Sequence, residues 1–457
     1  MWTPLLDRGD TPIYLAIADA IREDIRNGRL APGVRLPAQR QLARTLGVDF
    51  TTVTRAYAEA RRRGLIAARV GQGTFVMRPV SGDSRESLSG GVVDMSMNAP
   101  PAIDDAPLIA RMWRGLTEIE NEQGSALLFR YQWAAGAPQD RAAGVSWLAD
   151  RIERLSVERL VVAAGVQPAL VAVLCDLAQS GDVICAPALT HPGLRVAAAH
   201  LGLALVDVAM DGEGVVPDAF ERVCREVGPK AFHCTPTFQN PTTATMSPDR
   251  RREVARIARR YGVALVEDDV YGKLPRTPLP PLVNFAPELT WHIAGLSKVV
   301  SPALRIAYVV APDARGAGRL AATLRAITGM ASPLTAALAT HWIRTGTAVD
   351  VLKAIRAETL ARRRIAADAV GAEHMACEAF HLWLPLPKGW SRAAFHDEMG
   401  RRRVSVVSSD AFAICSHPPE AVRIGLGAAA TREDLAGAME SVRDLLERPR
   451  SAPAGIV

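Results

Sequence analysis

Lysine is scarce in this chain, 5 of 457 residues against 49 arginines. Arginine does not give up its proton in proteins, so any chemistry that needs a free amine is confined to a handful of positions. Charges interrupt every apolar stretch before it reaches membrane-spanning length, which argues against a membrane-embedded chain. Asp7, Arg8 and Asp10 stand near the start with no apolar run after them, so no signal peptide is expected. The 6 cysteines (Cys175, Cys185, Cys224, Cys234, Cys377 and Cys415) have no paired spacing, which argues against a disulfide framework and a zinc site. No GxGxxG opens a βα unit, leaving a Rossmann nucleotide site unsupported. A cytoplasmic protein of two or three domains is expected, with 49 % hydrophobic residues to build a large core.

The charge that is present is unevenly placed. Residues 1–80 carry 13 arginines and 7 acidic residues, while the remainder carries 41 basic and 41 acidic residues. The whole excess of +6 therefore lies in the first fifth of the chain. An arginine-rich module joined to a neutral body points to polyanion binding at one end.

In that module Ile13, Ile17, Ile21 and Ile25 recur at a spacing of four, which predicts a helix over 12–27. Gly28, Pro32 and Gly33 break it, and Pro37 is expected to open a second helix over 38–45 that Gly47 closes. A third, over 50–62, turns Val53, Ala56, Tyr57 and Ala60 inward and leaves Thr51, Thr52, Thr54 and Arg55 for solvent or a groove. "GLIAARVGQGTFV" then reads as two strands about a Gly71–Gly73 turn. Three helices and a glycine-tipped hairpin describe a winged helix-turn-helix whose third helix enters the major groove. The pattern alone would equally build a helical cap or a dimerisation lobe.

The stretch "LPAQRQLARTLGV…TTVTRAYAEARRRGLI…RVGQGTFV" closely resembles the DNA-binding head of the GntR superfamily of bacterial regulators. The resemblance implies double-stranded operator DNA as a partner and sets Arg35, Arg40, Thr51, Thr52 and Gly73 at the contacts, with Thr54 and Arg55 on the same helix. Phe50 stands where the family usually has arginine, and Thr54 where some members have another, so the base preference is expected to differ. Residues 80–92, "VSGDSRESLSGGV", are small, polar and aperiodic, and read as a linker between a head of 1–79 and a body of 93–450.

The body alternates amphipathic helices with the apolar runs "RLVVAAG", "GDVICAP", "LALVDVA", "AFHCTP", "GVALVEDD", "ELTWHIAG" and "RIAYVVA". That rhythm predicts an α/β domain on a mostly parallel sheet, whose ligands collect beyond the C-terminal strand ends. Gly165, Gln167, His191, Asn240, Asp268, Tyr271, Lys298 and Arg305 fall at those ends. A lysine in apolar surroundings has its charged form disfavoured and becomes an amine nucleophile for aldehydes. Lysine, carboxylate, phenol and arginine are the groups that hold pyridoxal phosphate: an imine, a partner for the pyridine nitrogen and a phosphate clamp. Acidic metal ligation by "GVALVEDDVYG" has no accompanying histidine cluster.

Residues 93–445 resemble the fold-type I aminotransferases, and their union with the head resembles the MocR group of GntR regulators. The resemblance implies a large subdomain over about 125–335 and a small one from about 93–124 and 336–450. It makes Lys298 the catalytic, Schiff-base lysine, pairs Asp268 with the pyridine nitrogen, and sets Tyr271 and Asn240 on the ring oxygen. Arg305, Ser297 and the helix start at Gly165 and Gln167 then take the phosphate. Tyr131 of "FRYQWAAG" matches a tyrosine that reaches the phosphate of the opposite subunit, which implies a homodimer with shared sites. Arg423 in "AVRIGLG" matches the arginine for a substrate α-carboxylate. His191 replaces a usual ring-stacking tyrosine, and Ala307 a usual glycine.

Two functions use these residues. One is a transcription regulator whose body senses pyridoxal phosphate or an amino compound by imine exchange and so biases how two heads meet DNA. The other is an aminotransferase acting on an amino acid, with Lys298 as general base. A complete head has no purpose in plain transamination, so the regulator is expected. Trp383 is read as a packing aromatic and His381 as its neighbour behind the site. Arg362, Arg363 and Arg364 are read as solvated surface, and the basic run 250–260 as an outer helix or a second DNA contact.

Overall fold

The computed structural model describes residues 2–4, 12–27, 29–30, 34–63, 65–69, 73–76, 91–129, 131–375 and 377–447. The chain divides into two units, Met1–Leu88 and Ser89–Val457. Residues 80–90 of the expected linker, and Gly71 and Gln72 of the expected turn, lie outside the described residues.

The first unit is built from α1 (Ile13–Arg26), α2 (Gln39–Leu46) and α3 (Phe50–Arg62). Ile17, Ile21, Val53, Ala56 and Tyr57 close its core, while Ile13, at the open end of its helix, stays 48 % exposed. Pro37 does not open α2. Ala38 is the N-cap, and the Pro37 carbonyl instead accepts the buried Tyr57 hydroxyl at 2.8 Å. The Asp49 carboxylate caps α3 by accepting the Thr51 amide at 2.8 Å. β1 (Ile66–Arg69) and β2 (Gly73–Val76) pair antiparallel with Arg69 opposite Gly73.

The second unit starts with β3 (Val93–Asp94), α4 (Ala106–Gln123), the short α5 (Ala126–Phe129) and α6 (Pro138–Leu148). Then come β4 (Leu160–Ala163), α7 (Val166–Leu177), β5 (Val183–Pro187), α8 (Pro192–Leu201) and β6 (Ala204–Val208). A small hairpin, β7 (Met210–Asp211) and β8 (Gly214–Val215), leads to α9 (Pro217–Val227), β9 (Ala231–Cys234), α10 (Pro248–Tyr261) and β10 (Ala264–Asp268). β11 (Thr290–Gly295) and β12 (Ala307–Val310) complete a sheet of order β4-β12-β11-β10-β9-β5-β6. Only β12 runs antiparallel to its neighbours in that sheet. Its members are the apolar runs quoted above, continuous rather than alternating because helices cover both faces.

The chain continues through α11 (Ala314–Thr328), α12 (Pro333–Arg344) and the long α13 (Thr347–Val370). β13 (His381–Pro385), α14 (Arg392–Arg401), β14 (Val404–Ser405), β15 (Val407–Ser408), β16 (Ala421–Gly425) and α15 (Arg432–Glu447) follow. A second core joins Met95 to Leu382, Phe395, Ile424 and Leu435. Leu108 of α4 and Trp342 of α12 instead share the core of Leu160 on β4.

Arg362 and Arg363, expected on a solvated surface, are 2 % and 7 % exposed. Arg362 donates to the carbonyls of Leu426 (3.0 Å) and Ala429 (2.8 Å), and Arg363 to that of Ala379 (2.9 Å). Arg251, inside the basic run of α10, is fully buried and donates to the carbonyls of Met246 (3.0 Å) and Pro236 (3.1 Å). A guanidinium carries five donors and so satisfies loop carbonyls that no strand pairs.

Gly427, two residues past β16, lies so close to the segment after β3 that a Cβ on it would overlap the Ala99 carbonyl oxygen. Gly427→Ala is expected to displace residues 99–101 and to cost on the order of 2 kcal/mol. Urea midpoints of the two proteins measure it, and equal midpoints would contradict the close approach.

Candidate functional site

Strand ends of the large sheet and a strand of the second core open on one cavity of about 550 Å³, a size that suits a cofactor or small ligand. Asp268 ends β10 and Tyr271 follows it; β11 ends at Gly295, and the turn Leu296–Lys298 brings Ser297 and Lys298 to the wall. Gln167 from α7, His191 at the start of α8, Asn240 after β9, Arg305 before β12 and Arg423 of β16 line the rest. The structure thus brings together all the expected cofactor residues except Gly165, which lies against Arg305, and Tyr131. Tyr131 stands 95 % exposed, away from the cavity of its own chain.

Burial, with the positive charges of Arg423 and Arg305, lowers the Lys298 ammonium to about 8 against the opposing pull of Asp268. Its Nζ donates to the Asn98 carbonyl. Arg305 holds φ 50°, a left-handed conformation that a residue with a side chain adopts rarely and where its surroundings impose it. Its guanidinium fills the space that the missing side chain of Gly165 leaves at the start of α7: a Cβ there would lie 3.1 Å from Nη2. A helix N-terminus and a guanidinium side by side make an anion cradle.

β10 ends in three consecutive buried acids. Alternation sends Glu267 and Asp269 to one face and Asp268 to the other. Glu267 meets His292 at 2.8 Å, and Asp269 forms a buried ion pair with Arg151. Asp268 has neither, and its Oδ1 is buried without a hydrogen-bond partner; His233 Nε2 lies 4.0 Å from Oδ2. Burial first, then the nearby Asp269 charge, raises the Asp268 carboxyl to about 7. A cationic ring nitrogen at that oxygen would restore the carboxylate, so the residues present fit pyridoxal phosphate.

The remaining groups hold one another. The Tyr271 hydroxyl accepts from Asn98 Nδ2 at 2.7 Å, and the Asn240 side-chain oxygen accepts from Arg423 at 2.8 Å. Arg423 also donates to the Ser96 carbonyl and stacks 4.8 Å from the Phe412 ring centre, with Nε left free of partners. His191 Nδ1 accepts the Gly193 amide at 3.1 Å. Burial and the charges of Lys298 and Arg423 lower its pKa to about 4, so the imidazole is neutral at physiological pH. Gln167 ties α7 to α8 through the Gly193 carbonyl at 2.8 Å rather than lying free. His381 is buried behind the site, its ring 5.5 Å from Tyr271, and Trp383 packs edge-on to Phe412. Asn98 escaped the sequence reading because "MSMNAPP" has neither periodicity nor a strand end; only its proline pair marks a turn.

In the first unit, Arg35 packs on Gly73: a Cβ there would lie 2.7 Å from Nε. Arg40 lies over the Phe50 ring at 5.7 Å, so a cation stands beside the first residue of α3. Thr54 donates to the Phe50 carbonyl at 3.0 Å and to Gln39 at 2.9 Å, Arg55 covers Tyr14 at 4.4 Å, and Thr51 is held by Asp49. Thr52 is half-buried beside them.

The family described as "Bacterial regulatory proteins, gntR family" matches residues 13–76, and "Aminotransferase class I and II" matches residues 92–442. The HTH-type transcriptional regulator YdeF of Bacillus subtilis is 31 % identical over 98 % of this chain and 97 % of its own length. The pyridoxine biosynthesis transcriptional regulator PdxR of Corynebacterium glutamicum is 28 % identical over 70 % of each chain. The probable rhizopine catabolism regulatory protein MocR of Rhizobium meliloti is 26 % identical over 67 % of each. The chain belongs to the MocR-type subgroup of the GntR regulators. Among solved structures, LysN, the alpha-aminoadipate aminotransferase of Thermus thermophilus, superposes with TM-score 0.69 at 22 % identity, over 85 % of this chain and 98 % of that one. At that identity the likeness establishes the fold alone. This MocR-type regulator therefore joins a DNA-binding head to an aminotransferase-like body, a domain type that implies pyridoxal phosphate.

With no cofactor bound, the raised Asp268 pKa sets a sign. The folded carboxyl keeps its proton where the unfolded one has lost it, so its contribution is full at low pH and fades as pH rises towards 7. Asp268→Asn removes that slope. Between pH 5 and 7 the stability difference should move in favour of the variant by roughly 2 kcal/mol. Urea titrations of the cofactor-free proteins at the two pH values test this; parallel pH dependence would mean Asp268 is ionised throughout.

Proposed function

We propose that the body of this regulator holds pyridoxal phosphate at Lys298, and that an amino compound competing for the same aldehyde changes how a dimer presents its two heads to operator DNA. The observation that carries the reading is the meeting of one desolvated amine, one buried carboxylate oxygen without a partner and one arginine cradle in a single cavity. Bound there, pyridoxal phosphate supplies an aldehyde carbon that takes primary amines and a ring that draws electrons from them.

This chain's residues have separate tasks in the proposal. Arg305, Ser297 and the amides from Gly165 to Gln167 hold the phosphate dianion. Asp268 would keep the proton on the ring nitrogen, Tyr271 and Asn240 would address the ring oxygen, and neutral His191 would supply a ring face to the cofactor. With its pKa near about 8, roughly a tenth of Lys298 is free amine at pH 7. Arg423 takes the carboxylate of an incoming amino acid through its unpaired Nε edge. Trp113, Phe129, Tyr131 and Trp133 are 69, 84, 95 and 76 % exposed, more aromatic surface than a solvated face sustains. We assign it to a homodimer contact in which Tyr131 reaches the opposite site. No helix among the described residues is long and apolar enough to cross a membrane, and the proposal places the protein with the DNA in the cytoplasm. The likeness to PdxR, a pyridoxine biosynthesis transcriptional regulator, supports a cofactor-linked signal.

A second reading, an amino-acid aminotransferase with an accessory head, is favoured by Arg423 and Lys298 facing one cavity. Gel shifts on the DNA upstream of the gene, with and without pyridoxal phosphate and a panel of amino acids, separate the two. The regulator predicts competitor-resistant binding that one amine alters; absent binding with multiple turnover of an amino donor favours the enzyme. Lys298→Ala should lose the visible absorbance of bound cofactor yet keep basal DNA binding. Arg40→Ala should weaken binding across sequences and flatten the log–log salt slope by about 0.9 if Arg40 neutralises one phosphate.

A further inference from the structure

A second pocket, of about 160 Å³, lies between α13, the segment after Tyr271 and the strand entry at 377–379. α13 contributes Arg356, Thr359, Leu360 and Arg363, at spacings of three, four and seven residues from the first, so one stripe of the helix faces it. Arg276 and Glu378 stand at its rim, giving three guanidinium groups to one carboxylate. That carboxylate is engaged: it accepts the Arg276 amide at 2.8 Å and pairs with the Arg276 guanidinium at 3.7 Å, which leaves the rest of that guanidinium's donors for a ligand.

Two of the arginines are built in rather than waving in solvent. Arg356 is fixed by the carbonyls of Lys273 (2.6 Å), Leu274 (2.9 Å) and Pro275 (2.9 Å). Arg363 uses Nη1 on the Ala379 carbonyl and has the Cys377 thiol beside its guanidinium, a weak acceptor, while its Nη2 is buried without a hydrogen-bond partner of normal geometry. Thr359 is 4 % exposed, and its hydroxyl also has none. Two unmet donors deep in a cationic cavity cost stability unless an acceptor arrives. Water supplies an acceptor but no charge, whereas the excess of guanidinium over carboxylate calls for an anion.

We infer that this pocket is a binding site for a small oxyanion, a phosphate or carboxylate group, held by Arg363 and Thr359 at its base and by Arg276 at its rim. Leu274 and Leu360 supply the apolar wall against which a short carbon skeleton rests. The site is separate from the cofactor cavity and does not depend on what that cavity binds. It is nevertheless one turn away from it: the Leu274 amide donates to the Tyr271 carbonyl at 2.8 Å, and Phe380 packs edge-on against the Tyr271 ring at 5.8 Å.

Equilibrium dialysis of the full-length protein at constant ionic strength in potassium chloride tests it, with inorganic phosphate in one arm and acetate in the other. Wild type should take up one more anion per chain than the Thr359→Val, Arg276→Gln double variant in at least one arm, and the arms tell which oxyanion is preferred. The cofactor cavity is common to both proteins, so its own uptake cancels. Equal uptake in both arms overturns the site. A melting series on Thr359→Val alone guards against a folding artefact. Replacing an unmet hydroxyl by a methyl of the same shape should raise Tm in chloride and reduce the Tm rise that the anion produces in wild type. A lower Tm in chloride together with an undiminished anion response overturns the assignment.

Discussion

Three acids in a row at the buried end of β10 are the constraint around which the site is arranged. A carboxylate taken out of water needs a cation or several donors, or it keeps its proton. Strand alternation divides the three. Arg151, Arg251 and His292 gather on the side of Glu267 and Asp269; Arg251 comes from α10 and Arg151 from the turn after α6, so the two guanidinium groups also pin those segments to the sheet. Asp268 is left alone on the cavity side, with a raised pKa and an oxygen that no protein group meets. A cation that also fits beside an amine would satisfy that oxygen.

The opposite sign governs the rest of the cavity. Lys298, Arg305 and Arg423 crowd one space, and that mutual repulsion, added to burial, weakens the one group able to lose its proton. Burial, with the same field, keeps His191 neutral, so it adds no further charge to the cavity. In a chain with 49 arginines, the lysine at this position is the residue whose chemistry arginine cannot copy.

Arginine composition pointed to nucleic acid in the first fifth of the chain, and there the helices and the paired strands were legible from periodicity and from glycine punctuation, while the caps at Ala38 and Asp49 were not. Elsewhere the same letter meant something else. Arg251, Arg362 and Arg363 sit in runs that read as solvated helix faces, yet each is buried on backbone carbonyls. Charge patterning along a helix reports which residues are polar. It does not report that a loop elsewhere has carbonyls in need of donors.

The sequence by itself determined the architecture and most of the cavity wall. Continuous apolar runs specify buried parallel strands, and polar residues just past their ends can point only to the side where such sheets bind ligands. The roles of Asn98, Gln167 and the α13 stripe were decided by tertiary structure alone. Asn98 reaches Lys298 and Tyr271 across a separation of 173 residues or more, and Gln167, on the cavity wall, also donates to the α8 backbone. Thr359 and Arg363 become a candidate anion site only because residues 274–276 and 377–379 fold over them. Periodicity encodes which face of an element is buried; which groups meet there, and which are left without a partner, depends on contacts between segments that no local pattern records.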